Sequence, residues 1–270
     1  MTAAFPTPAW LVGCGNMAGA MVEGWRAGGA DFTGVTVIRP SGTPVEGMHT
    51  VTDYPDEQPR LVMLGFKPQK LDEVVPGLAQ HIHSGTMVVS MLAGVTAASL
   101  RQYFPNAGSI VRIMPNLPVA QVQGVIGIFS VEGDNPELAE VRQLMASLGM
   151  IAWCDREEEL GVIGAVAAAG VAYVARFADA LAKGGQSLGL RQGLAEQVAI
   201  QTLVGTASYA ADTAISMAEI ARRVASPKGT TEQGLAMLDA PDGLQPLVGR
   251  TLAAAIRRGQ ELAEEAARRD

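Results

Sequence analysis

The chain has 270 residues, enough for one large domain or two domains of roughly 100–200 residues each. Nearly half of them (48%) are hydrophobic and only 5% aromatic, with 31 glycines, so the composition supports a core built from small side chains. A formal net charge of −7, with no basic patch interleaved with aromatics, argues against a nucleic-acid partner, and two cysteines, Cys14 and Cys154, are too few for a disulfide framework.

In chain order, the N-terminal stretch lacks a basic start followed by an apolar run, which fits a cytoplasmic protein without a secretory signal. Ala9–Val12 reads as a strand and Gly15–Gly28 as a helix. Val35–Ile38, Arg60–Leu64, Thr86–Met91 and Ile110–Met114 are further short apolar or β-branched runs, with helical stretches at Pro68–His81 and Val95–Phe104. Strand–helix alternation of this kind predicts a parallel sheet covered on both faces. Gly124–Val131 and Met150–Cys154 form a late strand pair around a helix at Pro136–Leu148, closing the domain near residue 155.

Beyond that point strand signals stop. Leu160–Leu188, Arg191–Asp212, Ser216–Val224 and Gly243–Arg269 read as helices. Leu160–Ala175 carries no charge, but its 16 residues fall short of the roughly 20 that span a bilayer, so no membrane partner is expected. Leu160–Ala182 is apolar around most of its circumference, which places it in a core or at a subunit interface. The expected fold is α/β: an N-terminal doubly wound sheet of the Rossmann type (1–155), then an all-α domain (156–270).

Trp10–Val12 runs into Gly13-Cys14-Gly15-Asn16-Met17-Ala18, a G-x-G-x-x-A between a strand and a helix. The first glycine permits the turn, the second lets a pyrophosphate approach, and a small third residue lets helix and strand pack closely. The anion then meets the free N–H groups of the helix N-terminus. After the second strand, Arg39-Pro40-Ser41 offers a guanidinium and a hydroxyl to a 2′-phosphate where an acid would select NAD, which favours NADP. The plainer alternative is a solvated surface arginine.

Several later stretches carry a resemblance. They are Phe66-Lys67-Pro68-Gln69, Ser90-Met91-Leu92-Ala93-Gly94-Val95, Arg112-Ile113-Met114-Pro115-Asn116-Leu117-Pro118, and Ser226-Pro227-Lys228-Gly229-Thr230-Thr231 with Gly234-Leu235. In this order and spacing, from about Leu11 to Leu238, the chain resembles the pyrroline-5-carboxylate reductase family. That resemblance implies reduction of L-1-pyrroline-5-carboxylate to L-proline by NADPH, with Lys67, Pro68, Ala93 and Asn116 around the cofactor. It also implies that Ser226, Gly229, Thr230 and Thr231 hold the substrate carboxylate, that Thr231 hydrogen-bonds the ring nitrogen, and that a homodimer or ring of dimers forms.

The chemistry agrees. The three histidines, His49, His81 and His83, sit in no catalytic setting, and His81-x-His83 reads as a solvated turn rather than a metal site. A cyclic imine that enters protonated gains no anionic charge on accepting hydride, so it needs orientation and a carboxylate anchor rather than an acid. A Pro-Lys-Gly turn before two threonines and a helix at Glu232–Leu238 suits such an anchor, although a threonine N-cap would look the same. Asn116, between prolines, could equally be a turn residue.

The chain also departs from the family pattern. Ala168-Ala169-Gly170-Val171-Ala172-Tyr173 stands where Gly-Ser-Gly-Pro-Ala-Tyr is usual, which predicts a straighter helix, and Asp179 replaces Glu. Lys228 stands for Gly, Ala225 for Thr and Leu117 for Thr. These positions surround the substrate rather than the cofactor. A sibling reductase of a related cyclic imino acid is therefore the first alternative, and a catalytically degenerate NADP-binding homologue the second.

Overall fold

The computed structural model describes residues 3–267. Its first half holds strands β1 (Ala9–Val12), β2 (Val35–Ile38), β3 (His49–Val51), β4 (Leu61–Leu64), β5 (Met87–Ser90), β6 (Ser109–Pro115), β7 (Gly124–Ser130) and β8 (Gly149–Trp153). Helices α1 (Asn16–Ala27), α2 (Leu71–Ala79), α3 (Ala97–Tyr103) and α4 (Ala139–Ala146) alternate with them. One sheet results, ordered β3-β2-β1-β4-β5-β6-β7-β8.

Every residue of β1, β2, β4 and β5 is buried, as expected of parallel strands covered on both faces. Alternation along the strands sorts them into two cores. Leu11, Val37, Met63 and Val89 face the side where α1 contributes Met21 and Trp25 and α4 contributes Leu144. Trp10, Ile38, Val62 and Val88 face the other, with Leu78 of α2 and Leu100 of α3. Each such side chain contributes roughly 1.5–3 kcal/mol on burial. The Trp25 indole N–H donates to Leu144 O at 3.0 Å, tying α1 to α4 on that side. Gly24 makes the approach of α1 close, because a Cβ there would lie 2.0 Å from Val119 O.

Five sequence expectations need correction. The sheet is mixed, since β6 and β7 run antiparallel while the other pairs are parallel. The link between them is only a 3-10 turn, Leu117–Gln121, followed by Val122 at φ 60°, too short for a parallel crossover. Strand β3 escaped the sequence reading, being three residues long and at the sheet edge. The helix expected at Pro68–His81 is a 3-10 turn, Pro68–Lys70, and then α2, which ends at Ala79. His81 and His83 beyond it are partly buried rather than solvated, His81 packing on Trp10 and Tyr54 at ring distances of 5.2 and 5.4 Å.

The fifth concerns the long apolar helix. It opens as α5 (Glu159–Ile163), passes through a π-helical turn at Gly164–Ala168, and continues as α6 (Gly170–Ser187). The straighter helix expected from the missing proline is thus interrupted just upstream of Val171 by the π turn. Helices α7 (Gln192–Thr213), α8 (Met217–Val224), α9 (Thr230–Leu238) and α10 (Leu244–Ala267) follow, Arg269 lying outside the described residues.

The chain divides into two compact units. One is the sheet domain to Ala169, which takes in the chain from Ala255; the other is Gly170–Ala254. Within the second unit only Ala182, Ala195 and Ala199 form a buried apolar cluster. Val174, Phe177 and Leu181 of α6 and Leu194, Val198 and Val204 of α7 stay exposed. By length and composition, Glu159–Ser187 could cross a membrane, and most of it is unburied in the single chain.

Candidate functional site

The turn from β1 to α1 is built around glycine. The Gly13 N–H donates to Ile38 O at 2.8 Å, and its φ of 80° lies in the region that side chains avoid. A Cβ on Gly13 would lie 3.0 Å from the backbone of Gly65 and from Phe66 Cβ. Gly65 is equally constrained, since its Cβ would fall 2.8 Å from Gly13 O and 3.0 Å from Ala18 Cβ. The small third residue of the motif is therefore explained: Ala18, buried on α1, packs over the glycine that follows β4. Gly65 went unnoticed in the sequence, where a glycine after a strand has no signature until its neighbour across the sheet is known.

Gly15 is the N-cap of α1, and no side chain caps the helix. Its first-turn N–H groups, at Asn16, Met17 and Ala18, thus lack a side-chain acceptor and carry the positive end of the helix dipole. A Cβ at Gly15 would meet only Gly65 O, at 3.8 Å, so the surface above it is open backbone. β1 has β2 on one side and β4 on the other, the point at which the strand order reverses and where doubly wound sheets bind ligands.

The C-terminal ends of four further parallel strands bring the other first-half residues to the same edge. Arg39 and Ser41 follow β2, Lys67 and Pro68 follow β4, Ala93 follows β5, and Asn116 follows β6. Arg39 is half-buried and Ser41 exposed. One Arg39 nitrogen donates to Thr43 O at 3.3 Å, leaving most of its five N–H donors unused among the described residues. Lys67 is exposed. Asn116 is 6% exposed and its carboxamide is committed: Oδ1 accepts from Val125 N at 2.8 Å, and Nδ2 donates to Ala167 O at 3.1 Å. It pins both the antiparallel start of β7 and the π turn. Cys14 lies in the same turn; burial pushes its thiol up, with Arg39 opposing weakly.

In the helical unit, Ser226–Thr231 makes a tight turn into α9. Gly229 N donates to Ser226 O at 2.9 Å, and a Cβ on Gly229 would strike Ser226 Oγ at 2.3 Å. The N-cap is Gly229, not a threonine, so the capping alternative is set aside: Thr230 and Thr231 lie inside the first turn and cap nothing. Lys228 sits at φ 59°, in the left-handed region, and its N–H donates to Glu232 Oε2 at 2.7 Å. Among the described residues no group of His, Cys, Asp or Glu could hold a metal.

A pyrroline-5-carboxylate reductase of Pseudomonas aeruginosa is 30% identical over 264 residues, covering 94% of this chain and 96% of its own. The chain belongs to the pyrroline-5-carboxylate reductase family. Residues 157–262 match the family model for pyrroline-5-carboxylate reductase dimerisation. The solved pyrroline-5-carboxylate reductase of Coxiella burnetii superposes with a TM-score of 0.86 at 29% identity, covering 96% of this chain and 99% of that one. A Plasmodium falciparum pyrroline carboxylate reductase solved with NADP bound shares the fold, with a TM-score of 0.81 at 20% identity. The exposed apolar faces of α6 and α7 therefore lie in the segment that members of the pyrroline-5-carboxylate reductase family use to dimerise, which accounts for their poor burial in one chain.

Proposed function

We propose that the chain reduces L-1-pyrroline-5-carboxylate to L-proline with NADPH. The observation that carries the cofactor is the uncapped N-terminus of α1 at the strand-order reversal, over the Gly13–Gly65 floor, where bare backbone leaves room for an anion to approach closely. Gly13, Gly15, Asn16, Met17 and Ala18 receive the pyrophosphate. Arg39 and Ser41 take the 2′-phosphate, and Lys67, Pro68, Ala93 and Asn116 frame the remainder, Asn116 by fixing the backbone around it. The fold relative from Plasmodium falciparum was itself solved with NADP.

The imine substrate is supported by identity over nearly the whole length to named reductases. Ser226, Gly229, Thr230 and Thr231 hold the substrate carboxylate on the free N–H groups of α9, and the Thr231 hydroxyl hydrogen-bonds the ring nitrogen. Bound NADPH would supply a hydride for the C=N carbon, while the Thr231 hydroxyl holds the protonated ring nitrogen that becomes the amine. With the nitrogen already protonated, no protein acid is needed there, consistent with the absence of histidine from these stretches.

We place the functional boundary at 155/156, between β8 and the start of the dimerisation match: 1–155 binds NADP, 156–270 binds substrate and dimerises. The working form is a cytoplasmic homodimer, or a ring of dimers, that engages neither nucleic acid nor membrane. NADPH oxidation with pyrroline-5-carboxylate, run beside NADH and a six-membered cyclic imino acid, tests the reading. Fast oxidation with the five-membered ring is expected. Preference for the six-membered ring would assign a sibling reductase, and cofactor binding without turnover a degenerate homologue.

A further inference from the structure

Glu232 is the third residue of α9, where a capping box would send its carboxylate back to the N–H of the N-cap residue. Here the carboxylate passes the N-cap, Gly229, and takes the N–H of Lys228 at 2.7 Å. Two consequences follow. Lys228 occupies a left-handed backbone conformation, at φ 59°, that a lysine does not favour, and the charge-assisted hydrogen bond from its N–H holds it there. The N–H groups of Thr230, Thr231 and Glu232 meanwhile receive no side-chain cap, and the one carboxylate in the first turn is drawn away from them. Free, that carboxylate would compete with an anionic ligand for those same donors.

We infer that Glu232 is a positioning residue: by binding the Lys228 N–H it locks the Ser226–Thr231 turn and keeps the α9 N-terminus open for a substrate carboxylate. The lock is made through the backbone. Among the described residues no ion pair joins the Lys228 ammonium to Glu232, so any residue at 228 that keeps its backbone N–H, hence any but proline, can be held in the same way. The inference rests on the reading of Ser226–Thr231 as the substrate loop.

The test uses the full-length protein with Glu232→Ala and Glu232→Gln. Gln keeps an oxygen that can accept the Lys228 N–H, whereas Ala does not. In Glu232→Ala, exchange of the Lys228 amide with solvent deuterium is expected to accelerate about tenfold, the weight of one charge-assisted hydrogen bond. KM for the imino acid is expected to rise by a similar factor, with KM for NADPH unchanged and kcat within about twofold. Glu232→Gln should restore most of both. Unchanged amide exchange in Glu232→Ala overturns the inference, as does an equal rise in both KM values or a Gln variant as impaired as Ala. If the wild type turns over no imine, the functional reading fails, and amide exchange in the two variants still decides whether Glu232 locks the turn.

Discussion

Arg112 Nη1 donates to Glu157 Oε1 at 2.7 Å, and the same oxygen accepts the Ala97 N–H at 2.6 Å. One carboxylate thus joins β6 to the first turn of α3, and it does so from the short segment between β8 and α5. The two side chains are only 11% and 23% exposed, so neither could recover full hydration if its partner were lost. Glu157→Ala is expected to destabilise the sheet domain by about 2–4 kcal/mol, since it leaves a largely buried guanidinium unpaired. Chemical denaturation followed by tryptophan fluorescence measures this. A loss under about 0.5 kcal/mol would mean the pair behaves as a surface one.

Gly65 should be as intolerant as the glycines of the motif itself. A methyl at this position meets Gly13 O and Ala18 Cβ at 3.0 Å or less, so the β1–α1 turn must shift. Gly65→Ala is expected to raise KM for NADPH by roughly tenfold, about 1.4 kcal/mol, while leaving KM for the imino acid within about twofold. Steady-state kinetics with each substrate varied in turn checks it.

Val174, Phe177 and Leu181 recur at intervals of three and four on α6 and stay exposed in the single chain. Phe177→Asp would place a carboxylate in the middle of that stripe, which a second copy could cover only at a desolvation cost of several kcal/mol. Light scattering should report dimers or larger for the wild type and a shift toward monomer for the variant.

Glu219 lies in the first turn of α8, whose N-cap is Ser216, and its carboxylate receives both Arg222 and Arg223, at 2.7 and 2.8 Å. Those hydrogen bonds hold its carboxyl down from the usual 4.5 to about 2. A folded-state value below the unfolded one stabilises α8 at pH above 4.5, and the contribution is lost as pH falls from there toward 2. Both arginines are exposed, so the effect should shrink in high salt. A carbon-13 titration of the Glu219 carboxyl should show a midpoint near 2, and a midpoint near 4.5 would show that the forks do not persist in solution.

Much of this architecture is legible in the sequence because two signals are strong. Ala9–Val12 and Val35–Ile38 are short apolar runs bounded by turn formers, and both strands have those limits in the structure. The helices after residue 190 likewise begin and end within a residue or two of their apolar pattern where described. Other features leave no such trace. The π turn at Gly164–Ala168 repeats the composition of the helix around it, and β3 is too short to show alternation. The reversal at Leu117–Gln121 depends on the length of a link, which periodicity does not report. At the candidate site, Gly13 is legible from the glycine motif and Arg39 from the turn after the second strand, whereas Lys67, Ala93 and Asn116 are legible only through the family resemblance. The pairings of Gly13 with Gly65 and of Lys228 with Glu232 needed coordinates, because each is a contact between backbone and a residue with no motif of its own.

The most direct measurement is mass-spectrometric quantification of proline formed from L-1-pyrroline-5-carboxylate against NADPH consumed in the same reaction. The expected result is proline and NADP in equal amounts, at a rate that rises with enzyme concentration. NADPH consumed without proline, or no consumption with this imine while a six-membered one is reduced, would contradict the assignment of pyrroline-5-carboxylate as substrate.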